Sequence, residues 1–226
     1  MIFGKNILIY DLDDTLYNKT EEFADLLDTT MAISLIDDLG VNMDFAKAKE
    51  LVTESFRIYR DGGEIFFRDY GVSPKDLFYA YHKRKPVEKI VPYENLIEKI
   101  KKVPADQYIF TASDRYASEK ILKHLGLWEF FKDKFYSVED FGVYKKNESA
   151  DVYLRYCEKI GVDPKDCVFV DDSYSNLEFA KEAGMTTVRI YYKNNSAKDK
   201  IYIDYAFKGL NSFLDYVLEN FSTNDK

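Results

Sequence analysis

Four polar clusters carry the residue types of charged-group chemistry: Asp11-Leu12-Asp13-Asp14-Thr15, Thr111-Ala112-Ser113, Lys145-Lys146 and Asp171-Asp172-Ser173. The carboxylates crowded into the first cluster repel one another, a cost that a cation or a proton must offset. A bound Mg²⁺ would remove it. Asp11 and Asp13 are two residues apart, so an extended backbone points both to one face, and a turn after Asp11 lets both reach one group. The plainer alternative, in which each aspartate merely caps a following helix or turn, does not account for the crowding.

The clusters sit at the ends of short apolar runs. Residues 6–10 (NILIY), 107–110 (QYIF), 167–170 (CVFV) and 186–191 (TTVRIY) are nearly continuously apolar, as strands covered on both faces must be. Residues 135–137 and 201–206 are weaker strand candidates. Helical patterns alternate with them at 93–102, 115–125, 149–160, 176–183 and 210–221, and Gly126, Gly161 and Gly184 follow three of these where a helix C-cap is expected. Alternation of this kind predicts an α/β fold with a mainly parallel sheet. Ligands of such sheets bind at the carboxyl ends of the strands, where all four clusters fall. Residues 17–86 interrupt the alternation with helical periodicity alone, predicting an inserted helical domain (17–86) within a core of 1–16 and 87–226.

In order and type, the clusters resemble the four motifs of the haloacid dehalogenase superfamily of aspartate-dependent phosphotransferases: DLDDT, a hydroxyl residue closing the second strand, a lysine, and the acidic pair of VFVDDSYSN, with GMTTV following. The resemblance spans most of the chain and implies a Rossmann-like three-layer αβα core. It makes Asp11 the nucleophile that takes up a phosphoryl group and Asp13 the acid and base. Thr111 would bind phosphate with help from the Leu12 and Ala112 backbone N–H groups. Mg²⁺ would be held by Asp11, the Asp13 carbonyl and Asp172, with Asp171 beside them. An acidic residue at position 13 disfavours carbon–halogen chemistry. For the lysine, alignment forward from Phe141-Gly142-Val143 selects Lys145, whereas counting back from Gly161 leaves Lys146 open. The proline that usually follows this lysine is absent. Where the common pattern has a glycine before the metal aspartate and an aspartate four residues after it, this chain has Asp171 and Asn176.

A helical insertion just after the first motif corresponds to the family's C1 cap, a lid that implies a small phosphomonoester substrate. The combination of DLDDTLY, the segment Tyr59-Arg60-Asp61-Gly62-Gly63 and the DDSxxN arrangement is similar to the pyrimidine 5'-nucleotidase branch. Sugar-phosphate or phosphoglycolate phosphatases, a phosphomutase and a catalytically silent nucleotide-binding module are the alternatives. Arg57, Arg60 and Arg68, with Phe56, Tyr59, Phe66 and Phe67, could line a pocket that stacks a base, or form cap core with a solvated rim. A signalling receiver domain shares the residue types but not their order.

Composition narrows the classes further. Of 226 residues, 46% are hydrophobic and 32% charged, which excludes wholesale disorder. A net charge of −8 opposes nucleic acid and anionic lipid. No apolar run approaches the roughly 20 residues of a membrane span, and the start of the chain lacks a signal-peptide pattern, so a cytoplasmic monomer or homodimer is expected. Cys157 and Cys167 lack metal-site spacing and read as buried thiols. His82 and His124 read as packing or surface residues.

Overall fold

Six parallel strands assemble in the order β3-β2-β1-β4-β5-β6 in the computed structural model, which describes residues 2–192 and 200–221. They are β1 (Ile7–Tyr10), β2 (Asp106–Thr111), β3 (Phe135–Ser137), β4 (Cys167–Asp171), β5 (Thr186–Tyr191) and β6 (Tyr205–Lys208). β1 pairs with β2 on one side (Tyr10 beside Ile109) and β4 on the other (Tyr10 beside Val170). The strand order therefore reverses at β1, and the carboxyl end of that strand opens into the crevice where α/β sheets bind ligands. Leu8, Ile9, Tyr10, Val168, Phe169 and Val170 are fully buried, as the continuous apolar runs require. The buried Tyr10 hydroxyl donates to Gln107 Oε1 at 3.0 Å, and Gln107 Nε2 donates in turn to the Ile100 carbonyl at 2.9 Å.

The chain divides into two compact units, Met1–Asn18 with Val91–Lys226, and Lys19–Ile90. In the second unit, α1 (Glu21–Ile33) is capped by Thr20, whose side chain accepts from Phe23 N, and runs on into a π turn, Ser34–Asp38. α2 (Phe45–Tyr59) is capped by Asp44 and ends at Arg60 in the left-handed region. Short helices α3 (Glu64–Asp69) and α4 (Pro74–Arg84) complete the unit around a core of Leu35, Leu51, Val52, Ile65, Phe66 and Leu77.

In the first unit, α5 (Leu96–Lys102) starts later than expected, because Asn95 takes a left-handed conformation (φ 57°) and breaks the pattern. α6 (Arg115–His124) is capped by Asp114. A single turn, α7 (Trp128–Phe131), is too short to register as periodicity. α8 (Ala150–Ile160), α9 (Tyr174–Glu182) and α10 (Gly209–Phe221) occupy the expected stretches. The last strand, expected from residue 201, begins only at Tyr205. Ile203 N closes a turn on the Lys200 carbonyl, and the Asp204 carboxylate is bound by Thr187 N at 2.9 Å and Lys181 Nζ at 2.6 Å. Cys157 and Cys167 are buried free thiols, their sulfurs 3.9 Å apart. Among the described residues no helix is long and apolar enough to cross a membrane.

Candidate active site

Asp11 leaves β1 with its backbone N–H still bonded to the Val170 carbonyl at 2.8 Å, so strand pairing holds its carboxyl beside β4. Lys146 enters from the short 3₁₀ turn before α8. Its Nζ lies 2.5 Å from Asp11 Oδ1, 2.7 Å from Asp171 Oδ2 and 3.2 Å from the Phe110 carbonyl, with only 1% of the residue exposed. The rings of Phe169 and Phe110 sit 5.2 and 5.8 Å from the ammonium, and Tyr153 packs edge-on to both rings. The sequence favours Lys145 for this position. Lys145 is instead half-buried in extended backbone (φ −142°, ψ 146°), and successive side chains of an extended chain point opposite ways, so one of the two lysines can enter and the structure selects Lys146.

Burial pushes the Asp11 carboxyl up to about 8, with Asp171 and Asp13 adding to the rise and Lys146 opposing it. Burial disfavours the charge of Lys146, but Asp11 and Asp171 outweigh it and hold the ammonium above the ordinary lysine range. Lys146 is thus a fixed cation. Asp171 is fully used: Oδ1 accepts from Ser173 N at 2.7 Å, and Asn176 Nδ2 lies 3.0 Å from Oδ2. Asn176, which stands where the family pattern has an acid, therefore orients Asp171. Both Asp13 carboxyl oxygens accept hydroxyl bonds, Oδ1 from Tyr17 and Oδ2 from Ser113 Oγ at 2.5 Å.

Thr111 is fully buried at the end of β2, and its Oγ1 accepts from Ser113 N at 3.0 Å, a bond that does not use the Thr111 proton. Ala112 is half-buried between these two residues, and Leu12 is buried. Ser137 Oγ donates to the Ser113 carbonyl at 2.7 Å, fixing the loop that presents Thr111 and Ser113. Thr15 is buried within the first turn rather than capping a helix.

Carboxylate oxygens of Asp11, Asp171 and Asp172 can all be found within 4.8 Å of one another. With all three ionised, as a bound cation would require, the carboxylates against one ammonium leave two negative charges, and hard oxygen donors with that balance suit a small divalent cation such as Mg²⁺. The Asp13 carboxyl is engaged by its two hydroxyl donors. Ser113 and Tyr17 went unassigned from sequence, since nothing local marks a partner such as Ser113, 100 residues from Asp13.

The family model for haloacid dehalogenase-like hydrolases matches residues 5–184. The chain belongs to that family. This hydrolase is 27% identical to a glyceraldehyde 3-phosphate phosphatase of Methanocaldococcus jannaschii, over 93% of this chain and 96% of the relative. It is 26% identical to a phosphoglycolate phosphatase of Psychrobacter arcticus, over 98% and 99%. Its fold matches that of a haloacid dehalogenase phosphatase from Thermococcus onnurineus with a TM-score of 0.63 and 23% identity, covering 94% of this chain and 97% of the other.

In the helical unit of the hydrolase, the expected base-stacking set does not converge. Phe66 is core, Arg57 pairs with Glu54 at 3.6 Å, and Arg68 pairs with Glu64 at 2.7 Å while lying over the Tyr59 ring. Gly62-Gly63 is a packing feature, because a Cβ on Gly63 would fall 2.5 Å from the Phe67 ring and 2.8 Å from Leu77.

Proposed function

We propose that this hydrolase is a Mg²⁺-dependent phosphatase of a small phosphorylated metabolite, of the sugar-phosphate or phosphoglycolate kind, working through an aspartyl-phosphate on Asp11. The carrying observation is the buried Lys146 clamped between Asp11 and Asp171, together with an Asp13 whose two oxygens are held by hydroxyls. Lys146 fixes the Asp11 carboxylate and offsets the charge of an incoming phosphoryl group. An Asp11 oxygen attacks phosphorus as the bond to the leaving oxygen breaks, and Asp13 delivers a proton to that oxygen. Asp13, then the carboxylate that Tyr17 and Ser113 stabilise, takes a proton from water as the water attacks phosphorus; phosphate leaves and Asp11 is restored. The Thr111 hydroxyl, with the Leu12 and Ala112 N–H groups, binds the phosphoryl oxygens. Mg²⁺, held by Asp11 and Asp172 with the Asp13 carbonyl and with Asp171 supporting, would neutralise the phosphoryl oxygens as charge builds on them.

The named activities of the two relatives favour small phosphorylated aldehydes and acids over the pyrimidine nucleotides suggested by the sequence. Within the segment that suggested nucleotides, Gly62 and Gly63 are accounted for by packing. Phosphate release from glyceraldehyde 3-phosphate, phosphoglycolate, hexose phosphates, UMP and CMP, with Mg²⁺ or EDTA, tests the reading. Expected is Mg²⁺-dependent turnover favouring the non-nucleotide esters, and its loss in Asp11→Asn with substrate binding retained. A preference for UMP and CMP would overturn the substrate class, and substantial activity in Asp11→Asn would overturn the covalent mechanism.

A further inference from the structure

The turn that carries Asp13 is tied to a remote part of the core by a chain of hydroxyls. Asp14, the next residue, is held in the left-handed region (φ 60°), which a non-glycine residue keeps only where its surroundings enforce it. Its carbonyl oxygen accepts from the Tyr192 hydroxyl at 3.0 Å. A carbonyl cannot donate, so this bond uses the Tyr192 proton. Tyr93, whose hydroxyl touches that of Tyr192, must therefore donate within the tyrosine pair, and its own oxygen faces the Leu210 N–H at the start of α10. The chain has one direction, from Leu210 N–H through Tyr93 and Tyr192 to the Asp14 carbonyl, starting at the positive end of a helix. Burial pushes the Tyr93 phenol up to about 12 and raises Tyr192 as well, so both hydroxyls keep their protons across the working pH range. Residues on either side reinforce the arrangement. A Cβ on Gly209 would lie 3.6 Å from the Tyr192 ring, and the backbone of Tyr17, itself a donor to Asp13, bridges Pro92, the neighbour of Tyr93.

We infer that Tyr192, backed by Tyr93, is a positioning residue for Asp13: it fixes the Asp14 peptide and so sets the direction in which Asp13 presents its carboxyl. This rests on the acid–base role proposed for Asp13. Tyr192→Phe and Tyr93→Phe each delete one hydroxyl and keep the ring, so packing survives. The informative comparison is between p-nitrophenyl phosphate, whose leaving group needs little protonation, and the best alkyl phosphomonoester of the substrate panel, whose alkoxide needs it.

Tyr192→Phe is expected to lower kcat/KM, which reports the step in which the leaving group departs, about tenfold on the alkyl ester while changing kcat/KM on p-nitrophenyl phosphate by less than about twofold. Tyr93→Phe follows the same pattern more weakly, and the double variant is no worse than Tyr192→Phe alone, because Tyr93 acts through it. Equal losses on the two esters, or none on either, would overturn the inference. Asp13→Asn, measured on the same two esters, separates the levels. If its loss shows no dependence on the leaving group, the acid role of Asp13 fails; if it shows one that Tyr192→Phe lacks, only the positioning role fails.

Discussion

Lys146 answers two buried carboxylates with one ammonium. Lys146→Met leaves Asp11 and Asp171 facing each other in a buried site, so kcat should fall by about a thousandfold, whereas Lys145→Met should stay within about threefold of wild type. Phosphate-release kinetics decide between them, and the reverse ranking would refute the assignment. The limit of sequence reading is visible in this pair. Both lysines are of the right type at the right place, and the choice depends on the backbone angles at residue 145, which no local pattern encodes. Asp11, Thr111 and the Asp171-Asp172 pair were legible because each directly follows a run that can only be a buried strand. Ser113 and Tyr192 were not, because their partners are fixed by how distant strands come into register, and Tyr17 was not, because its bond to Asp13 depends on the path of the turn between them.

Caps and turns govern the elements as strand ends govern the site. In the helical unit, Arg84 of α4 grips Asp38 of the π turn through Nε at 2.5 Å and Nη2 at 2.9 Å. The Arg84 hydrogen bond holds the Asp38 carboxyl below its usual range. A carboxyl lowered in the folded state contributes stability above its unfolded value that is lost as pH falls through the folded one. Asp38→Asn should therefore lower the urea midpoint slightly at pH 7, and the gap to wild type should close on acidification below pH 4; a gap independent of pH would mean the ion pair contributes nothing. The start of α6, expected at residue 115, was readable because capping chemistry such as that of Asp114 is local, and Thr20, Asp44 and Ser73 cap their helices in the same way. The late start of α5 and the late start of β6 were not, since a left-handed Asn95 and the binding of Asp204 by Lys181 and Thr187 override the local preference.

At the scale of the molecule, the acidic trio at the sheet edge links metal, protons and stability. Without metal, the buried Asp11 carboxyl takes up its proton near pH 8 rather than near its ordinary 3.8. The folded chain then binds more protons than the unfolded one between those values, and stability falls as pH rises through that window. Mg²⁺ at about 100 times its Kd should add about 2.7 kcal/mol, or about 5–10 °C in Tm, with a larger shift at pH 8 than at pH 6, where the cation must displace the Asp11 proton. Thermal unfolding with Mg²⁺ or EDTA measures this, and an unmoved Tm would refute a metal site at the trio. The Lys146 contact has a further consequence, for the order of events in folding. Asp11 and Lys146 are 135 residues apart in the chain, and their meeting requires β1, β2 and β4 to be aligned already. Closing so long a loop is slow. After dilution from denaturant, helical signal should therefore return well before phosphatase activity, and the lag between the two would time the final registration of the sheet.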